Sequence, residues 1–130
     1  DMALRRMIDL TLEGRPFPLF GDGTVSRSFT YVDDVVEANL AALFRDTAPG
    51  TVVNVANEST ASMNDLLGLV GAALGTPVRI EPHDAAVGDA QRTGGSSRMA
   101  REVLGWSPRT ALPDGINAMA QWCRSTPRRR

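Results

Sequence analysis

Gly14-Arg15-Pro16-Phe17-Pro18-Leu19-Phe20-Gly21-Asp22-Gly23, followed closely by Arg27-Ser28-Phe29-Thr30-Tyr31-Val32-Asp33-Asp34, decides the fold class. Phe17 to Phe20 is a short apolar run with the length of a strand, and Gly21-Asp22-Gly23 is a turn. Val25 to Val32 reads as a second extended segment with Val25, Arg27, Phe29 and Tyr31 on one face. Asp33-Asp34 opens a helix over roughly 34–45, where acidic side chains favour the positive end of the dipole. Its expected inward residues are Val35, Val36, Leu40, Leu43 and Phe44.

The same reading extends outward from this unit. Leu4, Met7, Ile8, Thr11 and Leu12 repeat at helical spacing over 2–13, with Asp1 as N-cap and Gly14 then Pro16 as the stop. Beyond the Pro49-Gly50 turn, Thr51 to Ala56 reads as a buried β-branched strand. Ser62 caps a helix to Leu74, with Asp65 in a near capping box and Met63, Leu66, Leu67, Val70 and Leu74 as its core face. Pro77 to Glu81 is a short strand, and residues 84–96 carry no periodicity and read as a loop. Ser97 to Leu104 is a helix ended by Gly105, with Trp106 placed for the hydrophobic contact of a Schellman end, and Pro113 starts a last helix to about Arg124. Strands alternate with helices and no internal repeat is visible, so the class is α/β.

The 130 residues are one domain's worth, 42% hydrophobic, with 14 basic and 15 acidic residues. This balance argues against a disordered chain and against a basic nucleic-acid arm. No run of about 18 apolar residues exists, so no membrane partner is expected. Cys123 has no disulfide partner and, with His83 as the lone histidine, no zinc site can be built. The simplest compartment is a reducing cytoplasm. Every basic residue is arginine, and Tyr31 is the one tyrosine. The chain opens on Asp1 rather than methionine, which reads as a piece of a longer protein.

Few residues invite chemistry. Gly68, Gly71 and Gly75 sit inside a helical pattern with no strand before them, so they read as small packing residues rather than a dinucleotide fingerprint. Asp33 and Asp34 are adjacent and do not face each other on a helix, so capping outweighs a metal or acid–base pair. A calcium loop from Asp22 fails at Arg27, where glycine is required. His83, between Pro82 and Asp84, reads as a surface loop residue, and Cys123 as core beside Ile116 and Met119. Arg128-Arg129-Arg130 reads as a solvated tail. Arg27 is the informative residue: a guanidinium on a face with aromatics is either half-buried by its stem or aimed at an anion, and its planar fork matches phosphate oxygens.

The two opening stretches, with Gly88-Asp89, Ser97-Arg98-Met99-Ala100 and Leu104-Gly105-Trp106-Ser107-Pro108, resemble the C-terminal half of extended short-chain dehydrogenase/reductases, the NAD-dependent nucleotide-sugar epimerase/dehydratase family. The resemblance runs from Asp1 to about Trp122 and looks most like UDP-glucose and UDP-glucuronate 4-epimerases. It implies that residues 1–124 are a substrate-binding domain and 125–130 a flexible basic tail. The Rossmann half, with its glycine-rich turn, its Tyr-x-x-x-Lys pair and its bound NAD, would lie outside these residues. Catalytic, cofactor-binding and metal residues are therefore expected to be absent here: there is no lysine, and Tyr31 is followed four residues on by Val35.

Carried over by position, the resemblance implies a nucleotide-sugar site. Phe20 and the backbone of Pro18 and Leu19 would face the nucleobase, Arg27 the diphosphate, and the helix start at Ala3 and Leu4 the nucleotide through its amides. A second family arginine falls on Ala86, with Arg92 as the candidate substitute, and Gly94-Gly95-Ser96 lacks the family's acidic residue before the Ser97 helix. The implied activity is a 4-epimerase acting on a UDP-hexose or UDP-hexuronate. Alternatives are a nucleotide-sugar 4,6-dehydratase, a UDP-glucuronate decarboxylase, or a binding module without chemistry. A homodimer is allowed, with contacts largely from the absent half.

Overall fold

The computed structural model describes residues 3–85 and 88–126. It is a mixed α/β chain: α1 (Ala3–Leu12), β1 (Phe17–Phe20), β2 (Ser26–Ser28), α2 (Val32–Phe44), β3 (Thr60–Ser62), α3 (Met63–Leu74), β4 (Ile80–His83), β5 (Arg92–Thr93), α4 (Arg98–Leu104) and α5 (Leu112–Ser125). The chain divides into two compact units. The first comprises Asp1–Val25, Ser62–Gln91 and Pro113–Arg130, the second Ser26–Ala61 and Arg92–Leu112.

In the first unit, α1 buries Leu4, Met7 and Ile8, one stripe at helical spacing. Gly14 at φ +69° ends it, and the Arg15 N–H closes back on the Leu10 carbonyl at 2.8 Å. The Asp1 cap lies outside the described residues. α3 packs beside α1 and begins with the expected capping box, since Ser62 Oγ accepts from the Asp65 N–H while Asp65 Oδ2 accepts from the Ser62 N–H. Leu66, Val70 and Leu74 are buried, with Met63 and Leu67 half-buried beside them, and α5 adds Ile116, Ala120 and Cys123. β1 and β4 pair in parallel, Phe17 with Ile80 through Phe20 with His83. The strand expected over 77–81 therefore runs later, at Ile80–His83, because its position is set by the ladder to β1 rather than by its own composition. His83 accordingly ends a strand, where a loop was expected.

The second unit holds the sheet order β3–β2–β5, with β2 and β5 parallel. β5 lies within the stretch expected to be a structureless loop. The extended segment expected over 25–32 pairs as a strand only at Ser26–Ser28. Beyond it, side chains take over: Ser28 Oγ donates to the Asn57 carbonyl, Thr30 Oγ1 accepts from the Asn57 N–H, and α2 already starts at Val32.

α2 turns over its expected inward face. Its buried residues are Asp34 and Ala38, while Val36, Leu40, Leu43 and Phe44 are exposed, the last at 81%. Ala38 packs with Ala100, Leu104 and Trp106. The Trp106 indole donates to the Asp34 carbonyl at 2.8 Å, and the Asp34 carboxylate accepts the Arg109 and Thr110 N–H groups at 3.2 and 3.0 Å. Close approach to the indole selects the small-residue face of α2, which periodicity of large apolar residues cannot reveal. Thr51 to Ala56 forms no strand: Val53 and Val55 pack toward that cluster and Val52 is 82% exposed. At Ala56 the backbone N–H and C=O are both met by the buried Ser97 hydroxyl, which replaces a partner strand. α4 ends at Gly105, φ +62°, with Trp106 N–H on the Ala100 carbonyl.

The N-terminus of α4 is met from another segment. Glu58 Oε1 accepts from the Ser97 N–H at 2.9 Å and from Arg101 Nη2 at 3.0 Å, and these bonds, the amide's first, hold its carboxyl below the usual value.

Two outcomes follow from these polar anchors. Asp34→Ala leaves the part-buried Arg109 and Thr110 N–H groups without their acceptor and is expected to cost about 1–3 kcal/mol in urea unfolding, with Asp34→Asn costing less. Because the folded pKa of Glu58 is depressed, its stabilisation is present above the ordinary 4.5 and is lost as pH falls through the lower folded value. The Ser97 amide proton shift should titrate below pH 4.5, and Glu58→Gln should abolish that titration.

Candidate functional site

The carboxyl ends of β1 and β4 carry an exposed aromatic pair. Phe17 and Leu19 are buried, so Pro18 and Phe20 lie on the opposite face of β1. The parallel register places Glu81 and His83 on that same outer face. The rings of Phe20 and His83 stack with centroids 5.0 Å apart and planes at 24°. Phe20 is 53% exposed.

Backbone direction adds a second feature. The Phe17 N–H donates to the Arg79 carbonyl and the Gly21 N–H to the His83 carbonyl, so odd-numbered residues of this run face β4. By alternation, the carbonyl of Pro18 and both the N–H and the carbonyl of Phe20 point away from β4. Among the described residues this sheet has two strands, so that edge of β1 is open. A neighbouring donor and acceptor on a flat edge match the imide edge of a pyrimidine.

The turn behind the edge is held firmly. Asp22 Oδ1 accepts from the Thr24 hydroxyl at 2.6 Å and the Thr24 N–H at 2.9 Å, which keep its carboxyl below the usual range. Asn64 donates to the Asp22 carbonyl through its side chain and to the Gly23 carbonyl through its amide. Gly23 has φ +77°, a backbone conformation that other residues rarely adopt, and a Cβ there would collide with the Asn64 side chain, which would have to give up its bond to the Asp22 carbonyl.

The second unit carries the two arginines. Arg27 is half-buried on β2, and its Nη1 donates to the Ser26 carbonyl at 2.8 Å. Arg92, on β5, is exposed. The register pairs Ser26 with Arg92 and Arg27 with Thr93, so the alternation assigns the arginines to opposite faces of this sheet. Phe29 and Tyr31 are half-buried.

The structure thus brings Pro18, Leu19 and Phe20 together on β1 and sets Arg27 and Arg92 on adjacent strands. The Leu4 and Leu19 side chains are buried, so each can offer only backbone, and the alternation turns Leu19's toward β4. Ala86 lies outside the described residues. His83 was expected to be a bystander. Its stacking on Phe20 follows from register, which no local pattern encodes. Glu58 supplies the carboxylate before α4 that Gly94-Gly95-Ser96 lacks, from 38 residues away in sequence to Ser96. The described residues hold no group of three or more His, Cys, Asp or Glu side chains placed to share a metal. No helix among them is long and apolar enough to cross a membrane.

Known proteins are similar to this chain in sequence and in fold. Residues 1–56 match the NAD dependent epimerase/dehydratase family. The chain is 36% identical over 114 residues to the UDP-glucose 4-epimerase of Mycolicibacterium smegmatis, covering 88% of this chain and 36% of that one. By sequence and fold, the chain is similar to members of the epimerase/dehydratase family. It is also 36% identical over 126 residues to the dTDP-glucose 4,6-dehydratase of Streptomyces griseus, covering 94% of this chain and 37% of that one. The UDP-glucuronic acid 4-epimerase of Bacillus cereus, solved with UDP-glucuronic acid and NAD, matches 96% of this chain and 40% of its own with a TM-score of 0.90 at 31% identity. The chain spans about two fifths of the length of these family members.

The turn's geometry gives a direct check. Gly23→Ala should destabilise the intact protein by about 1–3 kcal/mol, through a strained positive φ and the collision with Asn64, and Asn64→Ala in the same chain should relieve part of the loss. Urea midpoints of the single and double variants measure both.

Proposed function

We propose that this chain is the sugar-nucleotide-binding portion of an NAD-dependent nucleotide-sugar epimerase acting at C4 of a UDP-hexose or UDP-hexuronate. The observation that carries the reading is the likeness in fold to the 4-epimerase solved with UDP-glucuronic acid and NAD. The local chemistry agrees with it. The outward N–H and carbonyl of Phe20 suit a uracil edge, the Phe20 ring suits its face, and the Arg27 fork suits a diphosphate. Leu4 contributes a first-turn amide of α1.

NAD supplies the hydride chemistry in this reading, and these residues do not cradle it. Gly68, Gly71 and Gly75 lie in or at the end of α3, and Gly21 and Gly23 lie in a turn that leads to a strand rather than a helix. What this chain does is bind and orient. A dehydratase on the same scaffold is the second reading, favoured by the 36% identity to the dTDP-glucose 4,6-dehydratase.

Incubating the intact protein with UDP-glucose, UDP-glucuronate and dTDP-glucose separates the two. A C4 epimer of a UDP-sugar is the expected product, and a 4-keto-6-deoxy sugar would replace the first reading with the second. Arg27→Ala should weaken sugar-nucleotide binding by about 1.5–3 kcal/mol in calorimetry and leave NAD affinity unchanged. Arg92→Ala should cost less, because Arg92 leaves the other face of the sheet. Unchanged affinity in Arg27→Ala would remove Arg27 from the site.

A further inference from the structure

The Phe20–His83 pair is exposed, ordered by the β1–β4 ladder and made of two rings that fill no core. Two aromatic rings left at the open carboxyl ends of parallel strands stand where ligands meet such sheets. We propose that His83 is a positioning residue of the base subsite: its imidazole covers one face of Phe20 and holds that ring so that the opposite face meets the nucleobase of a nucleoside diphosphate sugar. The proposal rests on the reading that Phe20 faces the base.

Three observations place His83 in this role. The register pairs it with Phe20 residue for residue, so the two side chains leave the same face of the sheet. The Gly21 N–H bonds the His83 carbonyl at 3.0 Å, which ties the backbone of the two strand ends together just beyond the rings. The interplanar angle of 24° at 5.0 Å is an offset stack, which leaves the far face of Phe20 parallel to the imidazole and turned away from it. An unsupported phenylalanine at half exposure samples several rotamers, and ordering it on binding costs affinity. A ring already stacked has less freedom to lose. His83 touches no reacting atom in this arrangement, so its effect falls on binding.

The test uses the intact protein and UMP as the probe, which carries the base and one phosphate but no sugar to transform. His83→Ala should raise the calorimetric Kd for UMP by about twofold to tenfold, the range of a ring-stacking contribution. KM for the sugar nucleotide should rise by the same factor with kcat unchanged. His83→Phe keeps a stacking ring and should restore both values, which a merely structural loss would not do. An unchanged Kd in His83→Ala, with Phe20→Ala weakened, overturns the role of His83 and leaves Phe20 at the base. Equal losses in His83→Ala and His83→Phe overturn the stacking mechanism. If His83→Ala, Phe20→Ala and Arg27→Ala all bind UMP like the parent, the reading of the whole site falls with it.

Discussion

Parallel pairing of β1 with β4 is the constraint on which the exposed Phe20–His83 pair depends. Each strand is four residues long, and a two-stranded sheet is marginal by itself. It persists because Phe17 and Leu19 are buried in the first unit while α1 and α3 pack beside each other. Once that face is buried, the period of two leaves Phe20 no choice but the outer face. A slip of one residue would bury Phe20, expose Leu19 and swap which backbone groups face outward. Core packing and the orientation of the candidate site are thus one constraint.

The second unit solves a different problem. Its sheet is short, and several of its joints are polar side chains acting as backbone. Ser97 meets both polar groups of Ala56, Asp34 meets two amides past Trp106, and Glu58 meets the first amide before α4. These groups are specific in direction, whereas apolar contact is not. The larger side chains of α2 are left facing outward as a consequence, since the side of the helix that accepts the indole must be small.

How much of this could be read in the sequence depends on whether the signal was local. Gly14, Ser62 with Asp65, and Gly105 are local signals, and the helix ends they mark sit where the spacing places them. Periodicity points to the wrong face of α2 because Val36, Leu40 and Phe44 outweigh Ala38 on any hydrophobic count, and only Trp106, far along the chain, decides between them. Thr51 to Ala56 has strand composition, but composition cannot supply a partner, and a hydroxyl took that place. Phe20 and Arg27 stood out through family motifs, whereas spacing left Arg27 undecided between stem burial and anion binding. His83 carried no local signal for a place beside Phe20, because that pairing comes from a register joining strands sixty-odd residues apart in the chain.

The residues of this chain share a chemical limit that bears on mechanism. With no lysine in the chain, and Tyr31 half-buried at the start of α2, these residues cannot assemble a tyrosine–lysine proton relay. In the proposed function they hold the base and the diphosphate, the two parts of the ligand that do not react. Binding energy spent there is the same before and during the reaction, so by itself it lowers KM without raising kcat. Its use is positional. An anchor at base and diphosphate fixes where the hexose hangs while leaving the bonds between phosphate and sugar free to turn. A grip on the sugar itself would hinder that turn, and an epimerase must present both faces of one carbon to the same hydride donor. An arginine fork and a ring face suit such an anchor, because a guanidinium recognises phosphate oxygens and a ring face recognises a base, both remote from C4.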